Sequence, residues 1–138
     1  MNCHRTEIKS MRSDKEKNIV TPYISIIIPV YNSEMTISRC LDSILNQSLV
    51  KEKYEIVIVN DGSTDRTEEL CENYKEQYNN IHIISQKNQG VVIARTVGAE
   101  NASGEYIMSI DSDDSVEEGY LEYIYENLSR QKPDMAVW

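Results

Sequence analysis

Short apolar runs alternate with amphipathic stretches along most of this chain. Ile24-Ser25-Ile26-Ile27-Ile28-Pro29-Val30 is almost continuously apolar, the pattern of a strand covered on both faces. Pro29 has no N–H to give to a ladder, so that strand is expected to stop near it. Ile37, Cys40, Leu41, Ile44 and Leu45 then recur at i, i+3, i+4, i+7 and i+8, which predicts a helix with one buried stripe. Asn32 or Ser33 is its expected cap. A second strand is read over Glu55–Val59. Asp65 with Glu68 forms a capping-box pattern ahead of a helix that carries Leu70, Tyr74 and Tyr78 on one face. Ile81–Ile84 is a third strand. Val91–Ala102 is a third helix, with Gly104 expected at its left-handed C′ position. Tyr106–Ile110 is a fourth strand. Ser115 and Glu118 pattern as a cap before Leu121, Ile124, Tyr125 and Leu128, and Met135–Trp138 starts a fifth strand. The order β-α-β-α-β-α-β-α-β predicts an α/β fold with a mainly parallel sheet flanked by helices.

Residues 1–22 fall outside this pattern. They are polar and mixed in charge, and read as a mobile leader; residues 23–138 form the single domain that 138 residues allow. The final apolar run has no turn or cap after it, so the chain is expected to be a truncated piece of a longer domain.

Charge narrows the partners. The formal net charge is −9, and residues 1–22 carry five basic and three acidic side chains, leaving about −11 on the rest. Such a body repels nucleic acid and anionic membrane. An anionic ligand would need a metal ion or backbone donors. Cys3, Cys40 and Cys71 show no Cys-x-x-Cys spacing, which fits buried thiols in a reducing, cytoplasmic compartment. No apolar run approaches the ~18 residues of a membrane span, and the first 22 residues contain no secretory h-region.

The candidate chemistry lies where strands end, the edge at which open α/β sheets bind ligands. Asp61 closes the second strand; Asp111, Asp113 and Asp114 close the fourth. Two carboxylates ~5 Å apart at an effective dielectric near ~20 repel by about 3 kcal/mol, which favours a hard divalent cation between them. Asp111-Ser112-Asp113, if extended, points both carboxylates to one side. One could hold a metal and the other a ribose hydroxyl; the alternative is a solvated acidic turn that caps the next helix. An EF-hand is excluded, because the loop lacks its glycine at position six. After the first strand, Tyr31-Asn32-Ser33 lacks the glycines of a dinucleotide fold and the Gly-Lys-Ser/Thr of a P-loop. Asn60-Asp61-Gly62-Ser63-Thr64-Asp65 could be a plain strand–turn–helix junction or place Asp61 to accept from a nucleobase N–H. Asn88-Gln89-Gly90 lets backbone approach a ligand, and Arg95 could pair with a sheet-edge aspartate or a phosphate. His82 reads as structural, and His4 lies in the leader.

Taken together, these segments resemble the family 2 inverting glycosyltransferases of GT-A fold. The matching elements are Ser25–Asn32, Val59–Asp65, Asn88-Gln89-Gly90 with Ala94-Arg95, and Asp111–Asp114, in order and in register across residues 24–138. Thr96 stands where the family usually has Asn. The resemblance implies a Rossmann-like nucleotide-diphospho-sugar transferase fold, of which this chain is the donor half. It implies Pro29 and Tyr31 at base and ribose, Asp61 accepting from the pyrimidine, and Asn88 and Arg95 lining the pocket. Asp111 would hold ribose, and Asp113 would bind Mn2+ or Mg2+ at the diphosphate. The implied reaction transfers a sugar from a UDP-sugar to an acceptor hydroxyl of a glycan, lipid-linked or protein acceptor. The family's general base lies beyond Trp138, so the chain alone is expected to be inactive. The full-length protein would work in the cytoplasm, at the inner face of a membrane. A non-catalytic nucleotide-binding module is the alternative, and a nucleotidyltransferase is disfavoured by the absence of a Gly-rich first loop. An exposed fifth strand gives the chain an edge for self-association.

Overall fold

The computed structural model describes residues 7–10 and 21–137. Among the described residues six strands form one sheet in the order β4-β3-β2-β5-β1-β6. Its centre is parallel: β2 (Ile24–Val30) lies between β3 (Tyr54–Asp61) and β5 (Tyr106–Ser109), and β4 (Ile81–Gln86) flanks β3. The helices are α1 (Ile37–Leu45), α2 (Thr67–Gln77), α3 (Val91–Glu100) and α4 (Tyr120–Gln131).

The continuous apolar runs are explained by burial on both faces. Ile24, Ile26, Ile28 and Val30 pack in the main core with Ile37, Leu41 and Ile44 of α1, Cys71 of α2, and Leu121, Ile124 and Leu128 of α4. Ile27, Val57 and Val59 point the other way, against Ala94 and Val97 of α3. Three helices therefore cover one face and α3 covers the other. The strand order demands this: β2, β3 and β4 advance in one direction, then the chain returns to place β5 on the far side of β2. A crossover of unchanged hand must then lie on the opposite face. The reversal between β2 and β5 is a topological switch point, where a crevice opens at the carboxyl ends. Gly98 seats α3 against the sheet, since a Cβ there would stand 2.4 Å from Ile27 Cγ2.

The structure departs from the sequence expectations at several places. Within the segment read as a leader, Glu7–Ser10 forms β1, antiparallel to β5 on one side and to β6 (Met135–Val137) on the other. The open edge of β5 supplies the backbone partners that make a strand of four polar-leaning residues. Residues 1–6 and 11–20, with Cys3 and His4, lie outside the described residues. The fifth predicted strand is present as β6, but it joins the sheet through β1. α1 begins at Ile37 rather than beside Asn32 or Ser33, and α4 begins after Gly119 (φ 84°) rather than at Ser115. The Asp65–Glu68 box is half made: Asp65 Oδ1 accepts from the Thr67 N–H at 2.9 Å, while Glu68 accepts from Ser85 Oγ. Gly104 is not among the positive-φ glycines. It is required by close approach, because a Cβ would stand 2.6 Å from Ser25 Oγ.

A buried polar cluster holds the opposite, amino end of the parallel strands. Glu55 Oε1 accepts from Ser25 Oγ (2.6 Å) and from the Ser103 N–H (2.7 Å), and Oε2 lies 3.2 Å from His82 Nε2. His82 itself is half exposed and meets the cluster through this one contact.

Candidate functional site

A cleft of about 620 Å³ opens at the carboxyl ends of β2, β3 and β5. Pro29, Tyr31, Asp61, Asn88, Arg95, Asp111 and Asp113 all line it. Residues chosen from five separated segments therefore converge on one crevice at the switch point. Asp61 and the acidic segment are set differently from what the sequence suggested, whereas Arg95 meets a sheet-edge aspartate, one of its two expected partners.

Asp61 is 3% exposed and committed to the β4–α3 loop. Its Oδ1 accepts from Gln86 Nε2 (2.9 Å) and the Gln89 N–H (2.8 Å), and its Oδ2 accepts from the Gly90 N–H (3.0 Å). Burial pushes its pKa up, but these three donors outweigh it and hold the carboxyl below its ordinary value. Asn88 folds over the same strand end and donates Nδ2 to the Asp61 carbonyl at 3.1 Å. Gly62, at φ 80°, makes room for this loop: a Cβ would stand 2.7 Å from the Asn88 nitrogen.

The acidic segment after β5 is a turn, not an extended strand. The Asp114 N–H donates to the Asp111 carbonyl at 3.0 Å, which closes four residues on themselves. The turn still gathers the carboxylates: one oxygen from each of Asp111, Asp113 and Asp114 lies within 4.8 Å of the others. Asp114 is buried, and Asp113 is exposed toward the cleft rim. Arg95 Nη2 sits 2.6 Å from Asp111 Oδ1, so the Asp111 charge is already paired. Both side chains are about half exposed, so the pair adds little stability.

The turn is braced from below. Arg39 Nη2 donates to the Asp113 carbonyl at 2.9 Å, and the Ser33 and Ser112 hydroxyls are 2.9 Å apart. Asn32, at φ 47°, accepts from the Thr64 N–H at 2.8 Å and ties the first loop to the second. Gly90, expected to let backbone approach a ligand, lines the cleft as well, and so do Asn32, Ser33 and Ser112, which were not singled out for it. The Asn tolerance of left-handed backbone was a readable signal for Asn32; for Ser33 and Ser112 there was none.

Comparison with known proteins decides the family. The model of glycosyl transferase family 2 matches residues 25–138. The chain belongs to this family. Glycosyltransferase GlyA of Streptococcus pneumoniae is 42% identical over 119 residues, 86% of this chain but 17% of GlyA. Among solved structures, S. aureus TarS 1-349 in complex with UDP-GlcNAc superposes with a TM-score of 0.76 at 31% identity, covering 80% of this chain and 32% of that one. The mannosyltransferase PcManGT from Pyrobaculum calidifontis, in complex with GDP-Man and Mn2+, gives 0.72 at 25% identity over 79% of this chain and 33% of that one. The fold is that of the GT-A glycosyltransferases, and this family 2 chain spans well under half the length of these relatives. Among the described residues no helix is long and apolar enough to cross a membrane.

Proposed function

We propose that the cleft binds a nucleoside diphosphate sugar, with a UDP-sugar as donor, and that the protein takes part in glycosyl transfer to an acceptor hydroxyl. The observation that carries the reading is the convergence of the seven residues in one crevice, where Asp111 and Asp113 cluster with Asp114. TarS, similar in fold and sequence, has been solved with UDP-GlcNAc, and PcManGT with GDP-Man and Mn2+.

In this reading Tyr31, half exposed beside Pro29, gives its ring face to the base. Asp61 keeps one Oδ2 lone pair for a base N–H, because only the Gly90 amide occupies that oxygen. Asn88 holds the loop that forms this wall, and Asp111 receives a ribose hydroxyl. Arg95 neutralises Asp111 and stands ready to meet a phosphate oxygen. The clustered carboxylates suit a hard cation, which Asp113 would hold with Asp111 and Asp114 beside it. When bound, Mn2+ or Mg2+ supplies Lewis-acid stabilisation of the departing diphosphate. The buried positions of Cys40 and Cys71 are in keeping with a reducing cytoplasmic setting.

Calorimetry with UDP tests this, first with MnCl2 and then with EDTA. Binding is expected with the metal and lost on chelation. Equal heats in both would remove the metal from the site, and no heat in either would remove the nucleotide.

A further inference from the structure

We infer that Gln86 is a positioning residue for the nucleobase: it fixes the plane of the Asp61 carboxylate and so enforces a preference for bases that present an N–H to the cleft. The inference rests on the cleft being a nucleotide site. Asp61 and Gln86 end β3 and β4 and are register partners in the parallel pair. Partners in register send their side chains to the same face of the sheet. An ionised carboxylate accepts and never donates, so the facing amide must turn its Nε2 inward; it does so at 2.9 Å.

The three donors divide the work. The Gln89 and Gly90 amides reach Asp61 from one loop, one to each oxygen. Gln86 reaches Oδ1 from the neighbouring strand. Rotation about the Asp61 Cβ–Cγ bond would break this contact, so the carboxylate plane is pinned from two directions. With two donors on Oδ1, the remaining acceptor capacity is on Oδ2. A carboxylate held this way attracts the N3–H of uracil, which lies between two carbonyls. It repels cytosine, whose N3 carries a lone pair at the same place.

The test measures UDP and CDP binding, with Mn2+, to the full chain and to Gln86→Ala and Gln86→Glu. Mn2+ binding without nucleotide is followed by electron spin resonance. The unaltered protein should favour UDP. Gln86→Ala should lose about three- to tenfold in UDP affinity, the worth of one hydrogen bond, while CDP changes little. Gln86→Glu should lose more, because it sets an acceptor against Asp61. Mn2+ binding alone should stay constant. Equal losses for UDP and CDP, or an unchanged ratio, overturn the positioning role. An unaltered protein that binds neither nucleotide overturns the reading of the cleft itself, and this inference with it.

Discussion

Replacing Asp61 by Asn changes almost no volume and tests whether the carboxylate organises the cleft wall. The acid accepts three N–H donors at 2.8–3.0 Å while 3% exposed. An amide can place an oxygen at only one of the two positions. If it sits at Oδ1, the Gly90 N–H loses its acceptor and meets an NH2; if it sits at Oδ2, Gln86 and Gln89 lose theirs. Hydrogen bonds to charged groups contribute about 1.5–3 kcal/mol each, and the surviving ones weaken when the charge goes. Part of this is returned because a buried charge no longer has to be desolvated. A net loss of about 2 kcal/mol is expected, or about 7 °C in Tm for a domain of this size. The sign with pH follows from the lowered carboxyl pKa. The stabilisation is complete above the ordinary value of 3.8 and is lost as pH falls through the lower folded value. The gap between Asp61→Asn and the unaltered protein should therefore be widest near neutral pH and narrow below 3.8. Thermal melts across this range measure it. A gap below about 0.5 kcal/mol near neutrality, the scatter of ordinary surface changes, refutes the reasoning.

Other expectations follow from single contacts. Gly62→Ala should cost about 2 kcal/mol and weaken UDP binding, since residue 62 lies at φ 80° with Asn88 2.7 Å from the added carbon; an unchanged urea midpoint and UDP affinity would contradict this. Glu55→Ala should destabilise by about 3 kcal/mol in denaturant titration, because the Ser25 hydroxyl and the Ser103 amide lose their acceptor. Glu55→Gln keeps an oxygen for both and should cost far less; equal losses would show that packing, not the hydrogen bonds, matters there. Asp113→Asn should remove the metal-dependent part of UDP binding while leaving Tm nearly unchanged, because its side chain is exposed; calorimetry and melting together separate the two.

The parallel core was legible because burial on both faces leaves an unbroken apolar run, as in Ile24–Val30. β1 was hidden for the opposite reason: Glu7-Ile8-Lys9-Ser10 carries no strand signal of its own and is a strand only because β5 and β6 accept it. The cleft residues were readable as strand-end and loop polar groups, and they do share one crevice. The pairing of Arg95 with a sheet-edge aspartate was open to reading as one of two possibilities, but which aspartate it meets, and what Asp61 meets, was not. Gln86 beside Asp61 depends on β3 pairing with β4, and Arg95 reaching Asp111 depends on α3 packing across the face from which β5 emerges. Neither adjacency is encoded in local spacing. The acidic turn illustrates the limit: alternation suggested an extended Asp-x-Asp, whereas the Asp114-to-Asp111 hydrogen bond curls it and brings in a third carboxylate.

A crystal of the protein soaked with MnCl2 and UDP gives the most direct test, read from anomalous scattering at the manganese edge. A manganese peak bonded to an Asp113 oxygen, with diphosphate oxygens completing its shell and the uracil N3–H on Asp61 Oδ2, is the expected result. A cleft without manganese density, or a metal and nucleotide bound away from the Asp111–Asp114 turn, would contradict it.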